Sequence, residues 1–162
     1  MNARAAATPE GRLLALCGIW LLGLGLYFIF IRPPMLPEDL RFVGGAEALG
    51  SAHEALHTWL KHVFIVMGGF MLGCGTLTLA LIGALNSRRV RVALWLVGLS
   101  TVGLMSAINF AIDSDFKWLL LVPALAWPAA LTIVELRADD GTARHGTLPV
   151  SPPGAMPNNR SH

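Results

Sequence analysis

Four stretches of this chain carry no charged residue and are long enough to cross a lipid bilayer. Leu13–Ile31 is uncharged for 19 residues, Val63–Leu85 for 23, Val92–Ile112 for 21 and Trp118–Val134 for 17. A helix needs about 20 apolar residues to cross a hydrocarbon core of about 30 Å. The last run is short, and tilt or local thinning accommodates it. Backbone groups in lipid must find partners inside their own segment, and a helix supplies them. The expected fold is therefore all-α: a four-helix antiparallel transmembrane bundle.

Composition agrees. The chain is 54% hydrophobic and 14% charged, where soluble domains carry about 25% charged residues. A formal charge of +2, with basic residues scattered along the chain, excludes nucleic acid as an expected partner. Cys17 and Cys74 each lie inside an apolar run, with no C-x-x-C, and read as small hydrophobes. Arg4 and Arg12 precede the first run as in a signal peptide. No A-x-A cleavage site follows, and a 19-residue run exceeds a signal's apolar core, so a retained span is expected. Leu16 before Cys17 disfavours a lipoprotein signal.

These runs divide the chain. An N-terminal segment 1–12 precedes the span 13–31. A long loop 32–62 with short helices follows, and then the span 63–85. The turn 86–91 leads to the span 92–112, and the turn 113–117 to the fourth helix, 118–137. The tail 138–162, rich in Pro, Gly, Asn and Ser, is expected to be disordered. Short turns make antiparallel neighbours. In the long loop, Pro37 followed by Glu38 and Asp39 suits a short helix start, and Gly44-Gly45 breaks the chain.

Lys and Arg orient the spans. Arg4, Arg12, Arg88, Arg89, Arg91, Arg137, Arg144 and Arg160 lie on one side, and Arg32, Arg41, Lys61 and Lys117 on the other. The excess places both termini in the cytoplasm of a bacterium and the long loop outside, in a multi-pass protein of the inner membrane. Trp59 and Trp118 are the strongest interface anchors. The fourth span carries Pro123 and Pro128, which are expected to kink it.

Helices in lipid associate through small residues. In the second span Gly69, Gly73, Thr76, Ala80 and Gly83 recur at helical steps, which predicts the packing seam. Extended upward, the seam passes Val66 and reaches His62. In the third span Ser106, Asn109 and Asp113 share one face at the same spacing. His62, Asn109 and Asp113 are thus expected to meet at the outer mouth, as a hydrogen-bonded clasp or a proton-responsive site.

One further motif stands in the outer loop. His53-Glu54-Ala55-Leu56-His57 fits H-E-x-x-H, in which two histidines one helical turn apart bind zinc and the glutamate activates water. Three features weigh against that chemistry. No third ligand follows at a family spacing. His62 lies on the opposite side of the helix from His53. The motif sits outside the apolar run, where membrane zinc peptidases bury theirs. The favoured expectation is a solvated interfacial helix with no cofactor. The alternative is zinc on His53 and His57, with Glu54 as base. Nucleotide, nucleophile-elbow and dinucleotide motifs are absent, and only the second span has an inward histidine for a b-type haem.

The segments "LPEDLRFVG", "WLKHVFIVMGGFM" and "NFAIDSDFKWLLL" resemble those of small four-span bacterial membrane proteins. The resemblance covers roughly residues 10 to 137. It implies the four-span fold, brings no activity or metal, and draws attention to "PEDLRF" and "DSDFKW" on the outer side. The expected role is non-catalytic: binding a partner, a lipid or a small ligand at the outer face. Candidate residues are Glu38, Asp39, Arg41, His62, Asn109, Asp113, Asp115 and Lys117. The expected surroundings are the lipid bilayer and a second membrane protein, another chain or a copy of this one. The alternative function is a zinc-dependent membrane hydrolase. A transporter subunit or channel forms a third class, requiring oligomerisation.

Overall fold

The computed structural model describes residues 8–145, with side chains described to residue 138. Every regular element among them is helical. The first span, α1, is Pro9–Phe30. Thr8 caps it, its hydroxyl accepting from Gly11 N at 3.2 Å, with Pro9 at the first helical position, where a missing N–H costs nothing. The loop forms α2 (Pro37–Phe42) and α3 (Ala46–Leu49). Gly44 and Gly45 end α2 with φ of +84° and +99°, a left-handed reversal that side chains resist. Gly45 N closes it on Leu40 O at 2.8 Å.

The second span begins well before its apolar run. Helix α4 is His53–Leu81, followed by a tight turn, Ile82–Ala84. The third span is α5 (Arg88–Gly98), a π-helical stretch (Leu99–Gly103) and α6 (Leu104–Ala111). Ser100 donates to Leu96 O at 2.7 Å, and Thr101 to Val97 O, so hydroxyls serve carbonyls where the α ladder loosens. The fourth, α7, runs Lys117–His145 without a break at Pro123 or Pro128. It continues beyond Arg137, where the sequence reading ended it. The rest of the expected disordered tail, 146–162, and residues 1–7 lie outside the described residues.

Four helices are long and apolar enough to cross a membrane, which makes this a multi-pass membrane protein. They pack as two hairpins, α1 with α4 and α5–α6 with α7, joined chiefly by α1 against α7, whereas α4 and α5 barely meet. Only 28, 28, 22 and 28% of the most apolar window of each span is fully buried, which leaves a broad apolar surface on every span for lipid or another chain.

The first hairpin is closed by glycines. Gly18 and Gly25 of α1 face Gly75 and Gly68 of α4, in antiparallel order. A Cβ at Gly68 would stand 2.6 Å from Gly25 O, and one at Gly75 2.8 Å from Gly18 O. The backbones approach to a distance only glycine permits. The buried face of α4 is Gly68, Met71, Gly75, Thr78 and Ile82. The predicted seam is corrected: Gly69, Gly73, Thr76 and Ala80 are exposed, and a Cβ at Gly69 or Gly73 would meet nothing within 4 Å.

The second hairpin closes around an indole. Trp127 is 1% exposed and donates from Nε1 to Leu94 O at 3.0 Å. It occupies the notch at Gly98, where a Cβ would lie 2.7 Å from its Cε2. Leu14, Leu21, Leu94, Val102, Ala130 and Leu131 complete the core around it.

Candidate functional site

At the loop face, most of the predicted polar residues are used on one another. Asp39 accepts from Leu36 N at 2.8 Å, capping α2, and from Arg32 at 3.3 Å. The Arg32 guanidinium lies 3.5 Å above the Phe64 ring centroid and 5.3 Å from that of Phe28. This cation–π stack ties the end of α1 to α4. Glu38 reaches across to the 113–117 turn. Its carboxylate accepts from Asp115 N at 2.9 Å and from the Ser114 hydroxyl at 3.3 Å. Ser114 is 2% exposed, so this contact is sheltered. Arg41 pairs with Asp115 at 2.8 Å, but both are well exposed, and such pairs contribute at most about 1 kcal/mol. The brace joins the loop of one hairpin to the turn of the other.

Asp113 has a left-handed φ of 55° and pairs with Lys117. The hydrogen bond and charge of Lys117 hold its carboxyl below the ordinary range, with a lesser contribution from Arg41.

The expected meeting of His62, Asn109 and Asp113 does not occur. His62 is exposed, its Nδ1 2.8 Å from Thr58 O of its own helix. Asn109 donates to Met105 O at 2.8 Å, and Asp113 turns to Lys117. The cause is the phase of α4. His62 shares a face with Gly69 and Gly73, and that face points away from the bundle. Helix α4 also packs on α1 and scarcely meets the third span.

His53 opens α4, and His57 follows one turn later, with ring centroids 6.4 Å apart. His53 Nδ1 is buried with no hydrogen-bond partner, while Glu54 and His57 are exposed. Among the described residues no group of three His, Cys, Asp or Glu side chains could hold a metal ion. Two histidines fall short of the three protein ligands of a catalytic zinc.

The opposite end gathers ionisable residues from α1, α5 and α7 that the sequence pattern marks only as orientation signals, or not at all. Glu10 is 6% exposed and Arg91 8%. Glu10 pairs with Arg137 of α7. Arg91 Nε lies 2.9 Å from Glu135 Oε1, without the alignment of a hydrogen bond, while its Nη1 donates to Leu85 O and Asn86 O, each at 3.2 Å. The available signal was an acidic residue beside each arginine-bearing helix end: Glu10 near Arg12, and Glu135 near Arg137. No family model, curated protein or solved structure matches the chain.

Proposed function

We propose that this is a non-catalytic membrane protein that binds a partner, a lipid or a small ligand through its loop face. The brace from Glu38 to Ser114 and Asp115 carries the reading. It unites residues far apart in sequence into one pre-organised surface, and pre-organisation lowers the entropic cost of binding. That surface also presents Phe42, 76% exposed, and Trp59 and Trp118, 61 and 65% exposed, an amphipathic rim suited to the headgroup region. The reading includes the bacterial inner membrane, the resemblance to small four-span proteins, and cytoplasmic termini on the excess of arginine.

Labelling tests it. A membrane-impermeant maleimide is applied to intact cells bearing Phe42→Cys or, as a solvent-exposed reference, Glu47→Cys. Slow labelling at 42 with rapid labelling at 47, and acceleration at 42 on adding Glu38→Ala, is the expected result. Equal rapid labelling means nothing covers the face. Labelling of both sites only after the cells are opened reverses the orientation.

The zinc hydrolase remains the second reading, favoured by the unpartnered Nδ1 of His53 beside His57. Elemental analysis decides it. About one zinc per chain, lost in a His53→Ala/His57→Ala double variant, would establish a metal site and make Glu54→Gln the catalytic control. Equal, negligible zinc in both proteins removes the reading.

A further inference from the structure

At the end of the bundle bearing the two described chain ends, a cavity of about 550 Å³ opens between α1, α5 and α7. Among the described residues, Thr8, Glu10, Asn86, Arg91 and Arg137 supply its polar wall, and Leu85, Val134 and Ala138 its apolar one. It lies where the apolar runs begin and end, beside Leu13, Val92 and Val134, at the depth of phospholipid headgroups.

One buried atom in this region lacks a partner. Glu10 Oε2 is a carboxylate oxygen with nothing donating to it, whereas Arg91 Nε faces Glu135 Oε1 at 2.9 Å. Leaving a buried carboxylate oxygen unsatisfied is costly. It needs a donor. The surrounding charges balance, since Glu10 pairs with Arg137 and Arg91 with Glu135. A lone anion would meet the Glu10 carboxylate, and a lone cation the guanidiniums of Arg91 and Arg137. A ligand carrying both charges meets neither objection.

We propose that this cavity binds an aminoalkyl phosphate, a primary ammonium and a phosphate joined by a short chain. The ammonium donates to Glu10 Oε2. The phosphate accepts from Arg91 and from the part-exposed Arg137, guanidinium being well matched to phosphate oxygens. Leu85 and Val134 border the carbon chain. The donor requirement makes the site selective. A trimethylammonium has no N–H to give Glu10, and a glycerol headgroup has no cation. The ligand's source is a phospholipid headgroup or a free aminoalkyl phosphate.

The test uses the purified, delipidated full chain in detergent micelles. Phosphatidylethanolamine, phosphatidylcholine and phosphatidylglycerol are added separately, and retained lipid is counted by native mass spectrometry. Soluble phosphoethanolamine forms a fourth arm. Retention of the ethanolamine lipid at least about tenfold above the other two is expected, the factor lost with one charge-assisted hydrogen bond. Binding of the lipid alone identifies a headgroup site, and equal binding of phosphoethanolamine identifies a free-ligand site. Glu10→Gln should abolish the preference for ethanolamine over choline while retaining some phosphate affinity. Equal retention of all three lipids by the wild type overturns the proposal, as does a Glu10→Gln protein that melts normally and keeps the preference. Should Glu10→Gln fail to fold, the wild-type preference together with Arg91→Lys, which keeps the charge and loses the guanidinium fork, still decides.

Discussion

The two hairpins solve one problem in opposite ways. Helices α1 and α4 approach by having nothing between them: Gly18 and Gly25 oppose Gly75 and Gly68, and each backbone rests on the other. The third span and α7 approach around the largest side chain available, with Trp127 seated in the notch at Gly98. In lipid there is no hydrophobic drive between helices, so close contact and hydrogen bonds must hold them. The glycine interface gains contact along its length, and its tightest clashes at Gly25, Gly68 and Gly75 would be with backbone oxygens, which cannot yield as a side chain can. The indole interface concentrates its contact at one place and adds a hydrogen bond to Leu94 O. The first hairpin should therefore be intolerant of additions, and the second of deletions.

The largest expected effect comes from a deletion in the second hairpin. Trp127→Ala removes a side chain that is 1% exposed and should cost about 3–5 kcal/mol in detergent unfolding, the range for large aromatic truncations in cores. Trp127→Phe keeps most of the volume and loses the hydrogen bond, and should cost about 1 kcal/mol. A cost for Trp127→Ala below that of Trp127→Phe would mean that the indole is not the keystone.

An addition to the first hairpin comes next. Gly68→Ala places a methyl group 2.6 Å from Gly25 O, and only separation of the two helices relieves it. A cost of about 2–3 kcal/mol is expected, as for overpacking generally. Gly98→Ala meets a side chain instead of backbone, so its cost should fall when Trp127→Phe is combined with it. Gly68→Ala also crowds the Ile29 side chain at 2.7 Å, but its nearest clash is with backbone at Gly25 O, so adding Ile29→Val should relieve little of its cost. Equal non-additivity in the Gly98/Trp127 and Gly68/Ile29 pairs would erase the distinction between the hairpins.

The contrast also explains what was legible beforehand. Runs without charge define spans because lipid excludes charge, and each of the four runs lies within a helix, or a run of helices, long and apolar enough to cross a membrane, give or take a residue at its ends. The phase of a helix is another matter. In α4, Gly68, Met71, Gly75 and Thr78 follow helical steps as faithfully as Gly69, Gly73, Thr76 and Ala80 do. Periodicity sets spacing but leaves rotation open, and one residue turns the face by about 100°. The wrong face carried His62 with it, so the predicted clasp with Asn109 and Asp113 failed for the same reason. A deciding signal was present in another span. Gly18 and Gly25 have the same seven-residue interval as Gly68 and Gly75, and antiparallel partners need matching intervals. At the loop face the segments "PEDLRF" and "DSDFKW" meet through Glu38, Ser114 and Asp115. That Glu38 would bond to Ser114 required knowing how two loops distant in sequence fold together.

A smaller effect is expected at the brace, which links the hairpins without belonging to either. Glu38→Gln keeps an acceptor for Asp115 N and removes the charge, so about 1 kcal/mol or less should be lost. Glu38→Ala removes both contacts, and hydrogen exchange at Ser114 and Asp115 should quicken while Trp127 and Gly68 stay protected. A general loss of protection would show that the hairpins depend on the brace for their own packing.

The smallest effect is the sharpest check on the first hairpin. Gly69→Ala and Gly73→Ala add the same methyl group as Gly68→Ala, to the same helix, one and five residues further along. Each would find nothing within 4 Å. Their cost should lie within about 0.5 kcal/mol of zero, and helix propensity favours alanine over glycine. The comparison cancels chemistry, helix and depth, leaving only which face meets α1. If Gly69→Ala costs as much as Gly68→Ala in the monomeric protein in detergent, the rotation of α4 is wrong. If the cost appears only in membranes, and at Gly73 as well, the exposed face of α4 is covered there by another chain.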